Sequence, residues 1–218
     1  MFIKYPSIKH LPESQMSKND KRLNEEEVDI LAHSSLDISE KLDGARVGIR
    51  MHENVPILFK RGSIIKTGEH EQYNHFKSWI FNNIEKILKI PNGYIVYGEW
   101  LSVQHTVYYD LLPEFFLAFD VIDDVGKYLP IDKSLEFLNN IGLCVPRRIK
   151  INLSDIPTII PKMKSNYSTT DNIEGVVVRN DFSDYSGSIV KGKFVRQNFV
   201  QGKHWSKGQA KYNQLIKD

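Results

Sequence analysis

Glu40-Lys41-Leu42-Asp43-Gly44-Ala45-Arg46 lies between two short apolar runs, and the rest of the chain is read outward from it. Asp43-Gly44 is turn chemistry. Leu36 to Glu40 reads as a strand entering the turn, and Ala45 to Arg50 alternates enough to pair with it as a hairpin strand. A lysine held at such a turn is a candidate nucleophile. It must present a neutral amine, and with a free pKa of about 10.4 it needs cationic neighbours or desolvation to lose its proton near neutrality. Alone, K-x-D-G is weak: it arises by chance in roughly one chain in twenty of this length. An ordinary Asp-Gly hairpin turn accounts for it as well.

Beyond the turn, Val55 to Lys60 reads as a third strand. From Glu69 to Lys89 the period becomes helical, with Phe76, Trp79, Ile80, Ile84, Ile87 and Leu88 on one stripe. Pro91-Asn92-Gly93 ends that helix. Tyr94 to Trp100 and Phe115 to Ile122 read as buried strands, and Ile131 to Ile141 as a helix. Ile173 to Arg179 and Ser188 to Val195 are apolar, β-branched strand candidates. Residues 12–29 are polar, a surface loop or short helix. The polar end, Phe199 to Asp218, offers Trp205 and Tyr212 as anchors. Strands dominate and helices separate unlike strands, which predicts an α+β domain with antiparallel sheets rather than a parallel βαβ fold. Residues 1–198 form the expected domain, and residues 199–218 a short basic appendage. Neither G-x-x-x-x-G-K-[ST] nor G-x-G-x-x-G occurs, so the common glycine-loop phosphate sites are not indicated.

The 218 residues are 41% hydrophobic and 26% charged, enough for a substantial core in a soluble protein. No apolar stretch approaches a membrane span, and the first residues lack the apolar run of a secretory signal. Cys144 is the single cysteine, so an internal disulfide and a multi-cysteine zinc site are excluded. The expectation is a monomer in the cytoplasm, or a viral protein in a host cytoplasm. The net charge of +2 is uneven: residues 147–218 hold 13 Lys/Arg against 6 Asp/Glu, and residues 1–146 hold 16 against 21. A basic C-terminal third suits a phosphate-rich partner, although a solvated basic surface explains the charge alone.

Further candidate residues follow the turn in order. Phe59-Lys60-Arg61-Gly62-Ser63 is next, then Tyr97-Gly98-Glu99-Trp100 closing a buried strand and Phe119-Asp120 ending another. Glu174-Gly175-Val176-Val177-Val178 opens a third, and Lys191-Gly192-Lys193 lies in the last. Lys191 and Lys193 stand at i, i+2 on one strand and so share a face. Two ammonium groups there could neutralise a phosphate and depress the pKa of Lys41; equally, they could form a solvated basic face. A carboxylate beside buried strands, as at Glu99 and Glu174, is costly unless paired.

From about residue 36 to 196 this ordered set resembles the covalent nucleotidyltransferase superfamily of ATP-dependent DNA ligases, RNA ligases and capping enzymes. Gly98-Glu99-Trp100-Leu101, His105, Tyr108-Tyr109-Asp110 and Phe116 to Asp120 look like small phage and bacterial RNA ligases. So do Tyr5 to Leu11 and Lys193-Phe194-Val195-Arg196. The resemblance implies a nucleotidyltransferase (ATP-grasp-like ligase) catalytic domain using ATP with Mg²⁺ or Mn²⁺. Lys41 would carry AMP, with Lys191 and Lys193 at the α-phosphate. Arg46 and Arg61 would contact the nucleotide, Phe119 would stack on adenine, and Glu40 would help fix its edge. Glu99 and Glu174 would meet the ribose and the metal. The substrate implied is nucleic acid, RNA ends or nicks or an RNA/DNA hybrid, as in RNA repair; a minimal DNA ligase with the same residues is the alternative. Only 25 residues follow Lys193, too few for the oligonucleotide-binding barrel of DNA ligases and capping enzymes.

Overall fold

Alternating and continuous apolar runs become two sheets in the computed structural model, which describes residues 4–199 and 210–217. In chain order the elements are β1 (Lys9–His10), α1 (Glu25–Ala32), β2 (Asp37–Lys41), β3 (Ala45–His52), β4 (Val55–Lys60), β5 (Ser63–Ile64), α2 (Glu71–Asn82), α3 (Ile84–Ile87), β6 (Ile95–Trp100), β7 (Phe116–Ile122), α4 (Ile131–Asn140), α5 (Ile156–Ile159), β8 (Gly175–Arg179) and β9 (Lys191–Val195). The first sheet has the order β1-β9-β8-β2, the second β5-β4-β3-β6-β7. Every pairing is antiparallel except β1 with β9. The fold is α+β, with antiparallel sheets flanked by helices and no closed barrel among the described residues.

The hairpin expected at Lys41 does not form. β2 pairs with β8, whereas β3 pairs with β4 and β6, so Leu42-Asp43-Gly44 carries the chain from one sheet to the other. Two causes are visible. Asp43 turns its carboxylate away to accept the Thr106 and Val107 N–H groups at 2.7 and 2.9 Å. Gly44 is pressed against the next sheet, where an added Cβ would lie 2.7 Å from the Trp100 carbonyl oxygen.

Each sheet has its own core. Val47, Ile49, Met51, Val96, Trp100, Phe116 and Ala118 pack with Phe76, Trp79 and Ile80 of α2 and Leu138 of α4. Ile38, Val176, Val178 and Phe194 pack with Leu31 of α1 and Ile156 of α5. Burying such side chains stabilises by about 1.5–3 kcal/mol each. Residues 12–29 run into the first turns of α1, which starts with a capping box: Glu27 N–H donates to the Asn24 side chain, and Asn24 N–H to the Glu27 carboxylate. The helix expected from Glu69 to Lys89 is divided at Asn83, whose side chain donates to the Trp79 carbonyl at 3.0 Å. Beyond the break the stripe drifts, and Leu88 is exposed while Ile87 is buried.

Phe119-Asp120 lies inside β7 rather than at its end, at a break in register: Tyr97 opposes Asp120 and Gly98 opposes Ala118. The extra residue is a β-bulge, which puts both Phe119 and Asp120 on the side away from the α2 core. Phe199 is buried in a third cluster with Leu42, Leu101 and Tyr109. Tyr212 and Leu215 bridge to Val103 and Leu112, and the Tyr212 ring lies 5.6 Å from that of His75. The other anchor, Trp205, lies outside the described residues.

Candidate active site

A cleft of about 1140 Å³ runs between the two sheets, and Lys41, at the end of β2, lines it. Glu40, Arg46, Arg61, Glu99, Phe119, Glu174 and Lys193 also line it, so eight of the nine candidate residues converge there. They come from five strands and two connections that lie far apart in sequence. Lys41 ends β2 and Glu174 immediately precedes the adjacent strand β8, and Lys41 Nζ sits 2.7 Å from Glu174 Oε1. Arg46 and Glu99 are paired neighbours on β3 and β6 of the second sheet. Arg61 is exposed in the β4–β5 turn, and Phe119 projects from the bulge.

The electrostatics differ from the sequence expectation. Burial by itself lowers the pKa of Lys41, but Glu174, Glu99 and Asp43 outweigh it and raise the pKa above its ordinary value. Lys193 and Lys41 repel each other, which helps to lower Lys193, but the carboxylates around Lys41 outweigh that repulsion. Lys193 Nζ is 3.7 Å from Asp20, and Lys191 Nζ is 2.9 Å from Asp120. Burial pushes Glu99 up to about 8, against the pull of Lys41 and Arg46. Burial also raises Glu174, with Lys41 opposing it. Glu40 is pushed up to about 7 by burial, although Ser165 Oγ donates to it at 2.6 Å. Its carboxylate is therefore engaged with Ser165.

Lys191 does not line the cleft. It belongs to a buried network centred on Asp120, which accepts from Arg179 Nη1 at 2.6 Å, from Lys191 and from the Tyr5 hydroxyl. Arg179 also pairs with Asp181. Burial would raise Asp120, but Lys191 and Arg179 hold it below the ordinary range. This network ties β7 of one sheet to β8 and β9 of the other, and Tyr5 within it lines the cleft.

Several cleft residues had no individual role in the sequence reading. Tyr5 lies beneath the Arg46 guanidinium, 4.7 Å from ring centroid to Cζ. His10 accompanies Lys193 beside Asp20, and burial, with Lys193, lowers its pKa to about 4, leaving it neutral near pH 7. Gln72 is fully buried at the cleft wall. Four residues before Phe76, it is a polar residue on the apolar stripe, the one sequence signal that could have found it. The partner of Asp43, the 101–112 loop, is non-local, and only the family resemblance, through Leu101, His105 and Tyr108 to Asp110, pointed to it.

Among the described residues no group of three or more His, Cys, Asp or Glu side chains could hold a metal ion. Glu99 and Glu174 nevertheless suit a hard divalent ion that keeps phosphate and water ligands. Both offer carboxylate oxygens, and Glu174 Oε2 is buried without a hydrogen-bond partner. No helix among the described residues is long and apolar enough to cross a membrane.

The model of the RNA ligase family matches residues 35–193. A search of curated proteins found no match. An archaeal ATP-dependent RNA ligase (form 2) superposes with a TM-score of 0.61 at 16% identity, over 88% of this chain and 48% of that one. The Naegleria gruberi RNA ligase with PPi superposes with a TM-score of 0.58 at 15% identity, over 89% and 62%. A point mutant of that ligase, solved with ATP and Mn, gives 0.56 at 12% identity, over 90% and 58%. These likenesses show the fold, and the chain spans about half to three fifths of the structures' lengths. With the family model covering most of the chain, and including both Lys41 and Lys193, this protein belongs to the RNA ligase family.

Proposed function

We propose that the chain is the adenylylating unit of an ATP-dependent RNA ligase that joins 5′-phosphate and 3′-hydroxyl ends through AMP carried on Lys41. The observation that carries this reading is the Lys41–Glu174 contact of 2.7 Å in a cleft shared with Arg46, Arg61, Glu99, Phe119 and Lys193. In the first step the Lys41 amine forms an N–P bond to the α-phosphorus, the bond to the β-phosphate oxygen breaks, and pyrophosphate leaves. Glu174 Oε1 is placed to take the ammonium proton. In the second, the oxygen of a 5′-phosphate displaces Lys41 from the AMP phosphorus. In the third, a 3′-hydroxyl attacks the activated 5′-phosphate, loses its proton, and AMP leaves. All three are phosphoryl-group transfers, for which positioning and charge neutralisation supply most of the catalysis.

Phe119 offers a face for adenine, and Arg46 and Arg61 are donors for the nucleotide. Lys193 offers charge to the α-phosphate; Lys191 offers it only on leaving Asp120. Mg²⁺ or Mn²⁺ would be held by Glu99 and Glu174 and would neutralise phosphate charge as a Lewis acid.

The test is the mass of the purified protein after incubation with ATP and Mg²⁺. A gain of one AMP, mapped to Lys41 and absent in Lys41→Ala, is expected. Label retained in Lys41→Ala would remove Lys41 from the reaction. Matched nicks with RNA or DNA on each side then assign the acceptor: ribonucleotides on the 3′-hydroxyl side should speed sealing. Equal or faster sealing of an all-DNA nick would make the chain a DNA ligase.

A further inference from the structure

Near the C-terminus, Lys211 to Ile216 runs along the loop of residues 101–112 and completes its backbone hydrogen bonding. Gln104 N–H donates to the Lys211 carbonyl at 2.9 Å, Asn213 N–H to Ser102 at 3.1 Å, Gln214 N–H to Tyr109 at 2.8 Å, and Ile216 N–H to Leu112 at 2.9 Å. At its centre Asn213 is 3% exposed. Its side-chain amide spans the loop, donating to the Leu101 carbonyl at 2.7 Å and accepting Tyr109 N–H at 2.9 Å. A side-chain amide offers a donor and an acceptor together, which a carboxylate or an aliphatic side chain cannot.

The same loop holds the catalytic turn. Thr106 and Val107 N–H donate to Asp43 Oδ2 at 2.7 and 2.9 Å, and Asp43 N–H donates to the Tyr109 hydroxyl at 2.9 Å. Asp43 is two residues from Lys41 on the segment that crosses between sheets. Tyr109, bound to Asn213 through its backbone and to Asp43 through its hydroxyl, links the two directly. The far end of the loop is held separately: Asp171 accepts Tyr108 N–H at 2.7 Å, and the Tyr167 carbonyl accepts Asp110 N–H at 3.0 Å.

We propose that Asn213 is a positioning residue for the reaction at Lys41: by bridging Leu101 and Tyr109 it fixes the loop whose amides fix Asp43, and thereby the direction from which Lys41 enters the cleft. The inference rests on the Lys41 reading above. It concerns geometry, so it has a readout of its own.

The experiment uses the full chain, with single-turnover AMP transfer over a range of ATP concentrations and hydrogen exchange at the Thr106 and Val107 amides. Asn213→Ala should slow transfer at saturating ATP by tenfold to roughly 10²-fold, the scale of a small misplacement of a reacting group. Apparent ATP affinity should change less than about threefold, because Arg46, Arg61, Glu99 and Phe119 lie on other elements. The two amides should exchange at least about tenfold faster. Combined with Asp43→Ala, the substitution should add little further loss, since both act through one contact. If Asn213→Ala does not fold, Asn213→Asp carries the test, because it keeps the shape and acceptor and removes the donor to Leu101. A wild-type rate with unchanged exchange in a folded variant would overturn the proposal, as would losses that add fully to those of Asp43→Ala. If the native chain takes no AMP, the functional reading fails. The two amides then decide the strap alone: faster exchange in the variant upholds it, and unchanged exchange overturns it.

Discussion

Lys191 and Lys193 leave β9 two residues apart, yet their surroundings assign them different work. Lys193 faces the cleft beside Lys41, whereas Lys191 is 2.9 Å from buried Asp120 and does not line the cleft. Lys193→Ala should therefore slow self-adenylylation by about 10²–10³-fold with little change in stability. Lys191→Ala should cost about 1.5–3 kcal/mol in a denaturant melt, the value of a hydrogen bond to a charged group, with Arg179 still holding Asp120. A Lys191→Ala protein as stable as wild type but as slow as Lys193→Ala would place Lys191 at the phosphate instead. Glu40 yields a test by pH. Its folded pKa of about 7 stands above the ordinary 4.5. The folded state thus keeps a proton that the unfolded chain has lost, and wild-type stability falls as pH rises through that window. Glu40→Gln has no such titration, so its advantage over wild type should grow between those two values to at most about 3 kcal/mol and then level off. A difference that is flat with pH would show that Glu40 is not held in a desolvated site.

At the scale of elements, the glycine with least room in the first sheet is Gly175, opposite Lys41 on β2 and Val195 on β9. A Cβ there would lie 1.8 Å from the Phe194 carbonyl oxygen, whereas one at Gly62 in the β4–β5 turn would meet nothing within 4 Å. Backbone cannot yield as a side chain can, so Gly175→Ala should destabilise by at least about 2 kcal/mol and Gly62→Ala by less than about 1 kcal/mol. Comparing their thermal midpoints checks this; equal midpoints would mean that β8 and β9 separate more easily than their pairing suggests. The position matters for chemistry because Glu174, the partner of Lys41, immediately precedes it. The β7 bulge acts on the same scale: one inserted residue brings Phe119 into the cleft wall and Asp120 into the network that ties the two sheets together.

Across the whole molecule, part of the C-terminal positive charge is used internally. Arg148 pairs with Asp37, Arg179 with Asp120 and Asp181, and Lys191 with Asp120. Nucleic-acid binding should weaken as salt rises. The log–log slope should fall well short of the roughly −12 that all 13 cations of residues 147–218 would give. Binding measured across a salt series decides it, and a slope near that limit would mean that these ion pairs open on binding.

Much of this protein was legible before any tertiary information. Strand and helix positions followed from apolar periodicity, because that periodicity records which face of each element is buried. Eight of the nine candidate residues line one cleft, since strand ends carrying charge next to apolar runs have few other places to go. The sequence also determined the order of the elements and the chemistry available at Lys41. Only the tertiary structure decided that β2 and β3 part into different sheets, and that Lys191 turns to Asp120 while Lys193 faces the cleft. It also revealed the clasp of Asn213 on the loop that holds Asp43. The physical reason is common to these: each depends on a partner supplied from elsewhere in the chain or on space left by packing. For Asp43 and Lys191 those partners lie more than sixty residues away, beyond the reach of any local pattern.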